Sequence, residues 1–382
     1  MLAKLKNIDI PIVVILVAFM IISTMMVYSA SVDHPTISIS ITKILVLYAV
    51  GLLAFVGISL FDYRVLVKVS PFLYGIGIIS LIAVYLFGAK VHGARGWFEL
   101  PGGLNFQPAE LVKLILIVCI TALLARRGGE LLFLKKDVIP VSLAVLLPFI
   151  LVLIQPDLGN AIIFVVILVG MLWIGNIKYT HVLFSILILA GAGFLMLTLY
   201  KHFHDSLYLL LEKYHFSHWM DRIDTFLYPH NVSDDDSYQV RNAVRAIGSG
   251  ALEGEGYLKG TSVHSNFIPF AYSDSIFVVV GEEFGFRGSA ILLLIYFMLI
   301  YRMILISIQS TQRSGAYIVV GVVSMFVFQI FENVGMMIGI MPLTGITLPF
   351  ISYGGTSLLI NMLSLGLVMS VKLHQEREPE LF

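Results

Sequence analysis

The chain has 382 residues, 58% of them hydrophobic and 13% charged, with zero formal net charge and a mean hydropathy of +0.94. Soluble domains carry about 25% charged residues, so this composition is that of an integral membrane protein, and balanced charge gives nucleic acid no electrostatic foothold as a partner. The single cysteine, Cys119, lies in an apolar run, which excludes a disulfide framework and a cysteine metal cluster.

A membrane-spanning helix needs about 20 mostly apolar residues. Ten segments meet that test, near 9–29, 41–61, 70–89, 107–125, 138–155, 159–175, 180–200, 275–308, 315–340 and 349–371. The expected fold is an all-α polytopic membrane domain spanning 1–382. The first segment follows two lysines and is too long for a signal-peptide core, so it reads as a retained span. The eighth exceeds one simple span and is expected to tilt or project. With the N-terminus inside, the inner segments hold thirteen of the 24 Lys and Arg residues, as the positive-inside rule requires. Ten spans return the C-terminus to the same, cytoplasmic side.

The long external loop, 201–274, begins with an aromatic-rich stretch, "LYLLLEKYHFSHWMDRIDTFL", suited to an interfacial helix. The run "SDDD" at 233–236 reads as a solvated turn. A short amphipathic helix then gives way to Gly-rich, irregular chain. Six of the ten histidines fall in this loop, among them the pairs His202/His204 and His215/His218. No cysteine or well-spaced carboxylate completes a zinc set, so surface residues are the better reading.

Polar groups collect on the outer face. Glu110 and Lys113 are neighbours on one face of the fourth span. They are either a self-neutralising pair with Lys113 snorkelling outward, or a pair facing a central cavity to position another group. Asp157 in "QPDLGNA" is placed to cap the sixth span, to meet substrate, or both. Gln329, Glu332 and Asn333 lie inside the ninth span. The irregular turn after it, with Pro342, Pro349 and Gly354–Gly355, must be packed in protein or line a wet cavity. In "AYSDSIFVVVGEEFGFRG" at 271–288, Glu283 and Arg287 have the spacing of an intrahelical pair. Glu282 points about 100° away and needs another partner. Asp274, at the loop–helix junction, suits an N-cap or a general base reachable from the outer leaflet.

These segments together resemble the SEDS family (shape, elongation, division and sporulation proteins) along essentially the whole chain. The resemblance is carried by "VYSAS" at 27–31, "GARGWFEL" and "FQPAELVKL" at 93–114, "QPDLGNA", "DRIDTFLYP", "YQVRNAVRAIGSGALEGEGYLKG", "SDSIFVVVGEEFGFRG" and "MPLTGITLPFISYGGTS". "FDYR" at 61–64 is more like the elongation branch, typified by RodA. The resemblance implies a ten-helix glycosyltransferase of the bacterial cytoplasmic membrane. Such an enzyme polymerises lipid II with a class B penicillin-binding protein as partner, often with a divalent cation (Mg or Mn) and no organic cofactor.

The family's essential aspartate matches Asp274, although Tyr272, Ser273 and Ser275 depart from the usual His, Thr and Phe around it. The family's Glu-x-x-Lys pair matches Glu110 and Lys113, expected to orient the site. Candidate substrate contacts are Arg95, Gln107, Asp157, Arg222, Gln239, Lys259, Ser352 and Gly354. Positive charge for the leaving diphosphate is expected from Arg222, Arg95, Lys259 or a bound cation, and the sequence does not choose among them. The rival readings are a lipid II flippase, which needs polar groups through the full membrane thickness, and a scaffold that only recruits the penicillin-binding protein.

Overall fold

Apolar side chains must leave water, and in a bilayer every backbone polar group must be paired internally, so the chain is built almost wholly of helices. In a computed structural model, residues 8–33, 39–91, 94–100, 104–204, 208 and 234–375 are described. The elements are α1 (Ile10–Val32), α2 (Ile41–Leu60), α3 (Tyr63–Phe87), β1 (Ala89–Val91), β2 (Ala94–Leu100), β3 (Leu104–Phe106), α4 (Pro108–Ala125), a single π-turn (Leu134–Val138), α5 (Ile139–Ile154), α6 (Leu158–Ile174), α7 (Tyr179–His202), α8 (Asp234–Ser249), α9 (Thr261–His264), α10 (Ile276–Gln309), α11 (Arg313–Met337) and α12 (Gly355–Leu373). Nine helical segments among the described residues are long and apolar enough to cross a membrane, and α6, at 17 residues, is slightly shorter. The chain is thus a multi-pass membrane protein, and all ten expected spans have their helix.

The differences are local. The third helix begins at Tyr63 rather than near 70, because Asp62 accepts a hydrogen bond from the Arg64 backbone N–H at 2.9 Å and caps it there. The last begins only at Gly355, because residues 338–354 run irregularly across the end of the bundle. The acidic run 234–236 is the first turn of α8, not a free turn. The loop after α3 folds into two short antiparallel pairings, β1 with β2 and β2 with β3. The interfacial-helix stretch, with Arg222, lies outside the described residues except for Tyr208.

Helices α4, α11 and α12 are the buried heart. Two small residues let their neighbours close in. A Cβ on Gly321 of α11 would lie 2.7 Å from the Ile117 side chain of α4. One on Gly366 of α12 would lie 2.7 Å from the Phe55 carbonyl oxygen of α2. This packing brings β1–β3, Asp157, α8–α9, 265–275 and 338–354 to one end of the bundle.

Candidate active site

Asp274 sits in the turn before α10. The helix proper starts at Ile276 with Ser275 in the capping position and no side-chain cap, so Asp274 does not serve as the N-cap. Its loop is instead held by the irregular segment after α11. The Asn333 side-chain amide nitrogen donates to the Asp274 carbonyl and to the Ile346 carbonyl, both at 2.7 Å. The Ser352 hydroxyl donates to the Ser273 carbonyl at 2.6 Å and accepts from the Leu348 N–H at 2.8 Å. The Tyr353 N–H donates to the Tyr272 carbonyl at 2.9 Å. From the other side, the Gln239 amide of α8 reaches the Ser275 hydroxyl at 3.3 Å. The backbone around Asp274 is therefore fixed, while among the described residues its carboxylate is met by the backbone N–H groups of Asp274 and Ser275 alone. Burial outweighs those two donors and pushes this carboxyl up to about 6.

A second carboxylate lies at the same end. Asp157 caps α6, accepting from the Asn160 N–H at 3.0 Å through Oδ1. Its Oδ2 accepts from the Asn160 amide at 2.8 Å and from the Gln107 amide at 2.7 Å. Burial raises this carboxyl too, opposed by the Asn160 donors. The nearby Glu110 raises it further, against Lys113. Glu110 and Lys113 form an ion pair at 2.8 Å whose lysine side chain is 0% exposed. Lys113 therefore does not snorkel outward; the pair is locked inside the bundle. Gly159, beside Asp157, has no room for a side chain, since its Cβ would lie 2.7 Å from Ile346 and 3.2 Å from the Thr344 carbonyl. On the same loop, a Cβ at Gly345 would lie 3.8 Å from Asp274 Oδ2. Residues 344–346 are thus wedged between the two aspartates, and Glu332 fixes them by accepting from the Thr344 hydroxyl at 3.0 Å.

The expected Glu283–Arg287 pair does not form. The helix breaks at Gly285, at φ 62 and ψ −158, which glycine adopts without strain. The loop 251–256 takes the backbone groups the break sets free. The Glu255 and Gly256 N–H groups donate to the Glu282 and Glu283 carbonyls, and the Phe286 and Arg287 N–H groups donate to the Ala251 and Leu252 carbonyls. Arg287 then pairs with Glu253 at 2.7 Å on the exposed surface. Glu282 instead receives the Ser262 and Val263 N–H groups at 2.7 and 3.0 Å, serving α9 as a cap from another element. Glu283 is bonded by the Ser29 hydroxyl of α1 and faces His264 at 3.3 Å, whose other ring nitrogen is 2.7 Å from Asp33.

The structure therefore gathers Asp274, Gln239 and Ser352 around one loop, and Gln107, Glu110, Lys113 and Asp157 into a neighbouring cluster. Ser352 is 7% exposed and spends its hydroxyl on backbone, which makes it a positioning residue and not a surface for substrate. Gly354 precedes the first turn of α12. Lys259 is exposed on the turn behind the α10 break. Arg95 lies on β2, and Arg222 lies outside the described residues. Among the described residues, no three His, Cys, Asp or Glu side chains are grouped to hold a metal. Sequence reasoning noticed Asn333 only as a polar group in a span, and did not notice Thr356, whose hydroxyl donates to the Asn105 carbonyl at 2.5 Å and ties α12 to β3.

The family model for cell cycle proteins of the FtsW, RodA and SpoVE type matches residues 6–377. The chain is 32% identical over 379 residues to the peptidoglycan glycosyltransferase MrdB of Escherichia coli strain K12, covering 97% of this chain and 95% of that protein. It is 29% identical to the stage V sporulation protein E of Bacillus subtilis, covering 97% and 98%. A chain from a peptidoglycan synthase complex, described as coordinating polymerization and crosslinking, superposes with a TM-score of 0.77 at 26% identity, over 97% of this chain and 99% of that one. The rod shape determining protein RodA of Thermus thermophilus superposes with a TM-score of 0.68 at 25% identity, over 97% and 98%.

Proposed function

As a member of the FtsW, RodA and SpoVE family, the chain is a SEDS peptidoglycan glycosyltransferase, and we propose that Asp274 is the general base with which it joins lipid II units into glycan strands. The observation that carries this assignment is the contrast in the site: Asp274 is fixed through its backbone, free at its carboxylate, and raised to about 6. A base works best when its pKa lies near the operating pH, and it must reach the hydroxyl it deprotonates. The 4-hydroxyl oxygen of one sugar bonds to the anomeric carbon of the other. Its proton passes to Asp274, the bond from that carbon to the diphosphate breaks, and the electron pair leaves with undecaprenyl diphosphate. A single displacement inverts the anomeric carbon.

Glu110–Lys113 lies beside Asp157, Asp157 caps α6, and α6 packs at Gly159 against the loop 344–346 that meets Asp274, so this cluster positions the base at a distance. The transferase end faces outward, with both termini in the cytoplasm, as the distribution of Lys and Arg supports. A class B penicillin-binding protein would cross-link the product in the same assembly. A divalent cation would be carried by the substrate's diphosphate.

Purified protein incubated with lipid II tests the reading. Wild type with its partner and divalent cation is expected to yield glycan strands, and Asp274→Ala none. Absence of strands from wild type sinks the polymerase reading. Normal turnover by Asp274→Ala sinks only the base assignment.

A further inference from the structure

A displacement that releases a diphosphate needs positive charge where the negative charge accumulates. That charge must lie away from the base, because the attacking and leaving oxygens stand on opposite sides of the anomeric carbon. Of the three cationic residues proposed from sequence for this task, none has a described side chain at the Asp274 loop. A different one has. The Lys43 ammonium lies 5.7 Å from the centroid of the Tyr353 ring. The Tyr353 ring lies 6.3 Å from that of Tyr272, nearly edge-on. The Tyr353 N–H is bonded to the Tyr272 carbonyl at 2.9 Å, two residues before Asp274. Base and ammonium are therefore joined through two aromatic rings on one end of the bundle.

Lys43 is also out of place as an ordinary helix residue. It occupies the first turn of α2, where Ser40 accepts its backbone N–H at 3.2 Å. A cation there opposes the positive end of the helix dipole. Among the described residues no carboxylate pairs with it, and its side chain is exposed. The dipole that disfavours the lysine favours an anion at the same place, so a bound phosphate would be drawn by both.

We infer that Lys43 binds the diphosphate of the polyprenyl-diphosphate-linked sugar, with Tyr353 and Tyr272 as the aromatic wall between it and Asp274. The inference rests on the polymerase reading for its place in the reaction. The sugar faces stack along the tyrosines, the diphosphate meets the ammonium, and the polyprenyl tail continues into the bilayer. Tyr272, which departs from the family's histidine, gains a purpose here: its ring extends the wall that Tyr353 begins.

The test measures affinity of the purified full-length protein for undecaprenyl diphosphate, apart from turnover. K43A is expected to bind about tenfold more weakly, and K43R to recover most of the loss. R287A, which removes a surface charge elsewhere, is expected to bind like wild type. Equal affinity of K43A and wild type overturns the proposal, as does an equal loss in R287A, which would mean general surface charge. Inorganic pyrophosphate is the second probe. Competition with the lipid in wild type and not in K43A assigns the site to the diphosphate alone. Failure to compete, with K43A still deficient, assigns it to the lipid-linked form. D274N is expected to bind normally and polymerise nothing. If wild type makes no strands while K43A still loses affinity, the polymerase reading falls and the diphosphate site stands.

Discussion

Asp157 and Asp274 lie on either side of one loop, yet the chain treats them oppositely. Asp157 spends both oxygens on neighbours: the Asn160 N–H, the Asn160 amide and the Gln107 amide. Asp274 has its backbone tied by Asn333 and its carboxylate left to two local N–H groups. Burial raises both carboxyls, so a shifted pKa alone does not mark the reactive one. What separates them is whether the charged oxygens already have partners. A satisfied aspartate stabilises; an aspartate held by its main chain alone can accept a proton without unfolding its surroundings.

The sharpest way to break this contrast is to neutralise each in turn. Asp274→Asn is expected to cut strand formation in a lipid II assay by at least about 100-fold with the protein still folded. Asp157→Asn should chiefly lower the unfolding temperature in detergent. The reverse result would exchange the two roles. Next in size is Lys113→Met, which strands the Glu110 carboxylate inside the bundle and should cost about 3–5 kcal/mol. Glu110→Leu with Lys113→Met should recover most of that in the same thermal measurement. Asn333→Leu removes the donor shared by the Asp274 and Ile346 carbonyls. It is expected to cost about 1–3 kcal/mol and to lower kcat more than it raises KM, because the base is displaced and the substrate surface is not.

Smaller again is the pH effect, whose sign is fixed by the raised carboxyl. The base must be ionised, so kcat/KM should rise as pH passes through about 6 and level off above it. For stability the direction is opposite. An unfolded aspartate has lost its proton by about pH 3.9, while the folded one keeps it to about 6. The folded state therefore holds the extra proton in that window. The unfolding temperature of wild type relative to Asp274→Asn should fall as pH rises from about 4 to 6. Arg287→Ala, which cuts an exposed pair with Glu253, should change stability by no more than about 0.5 kcal/mol. A large loss would restore the buried-pair reading of that arginine.

Much of this was legible in the sequence where one local rule decides. Apolar length placed all ten spans, and Asp157 before "LGN" announced its cap. The Glu110–Lys113 spacing gave the pair, but not that Lys113 is fully enclosed, because enclosure depends on which helices pack around α4 in the folded bundle. The Glu283–Arg287 reading failed for a related reason. Spacing assumes a continuous helix, and "GEEFGFRG" is interrupted at a glycine whose freed backbone groups are satisfied by residues some 30 positions earlier. Asn333 and Lys43 were invisible as site residues, since the contacts that matter join segments tens to hundreds of residues apart.

The break at Gly285 has a mechanical consequence. Residues 276–284 are fastened to loop 251–256 and to α9, and 286–309 are tied as well: the Phe286 and Arg287 N–H groups bond to the Ala251 and Leu252 carbonyls, the Tyr296 hydroxyl to the Pro349 carbonyl, and Arg302 pairs with Asp9 at 2.6 Å. The glycine break is thus a corner clamped on both sides, not a free hinge. A change of tilt in 286–309 with membrane thickness would therefore be passed through loop 251–256, which bonds both sides of the break, to the platform that carries Asp274.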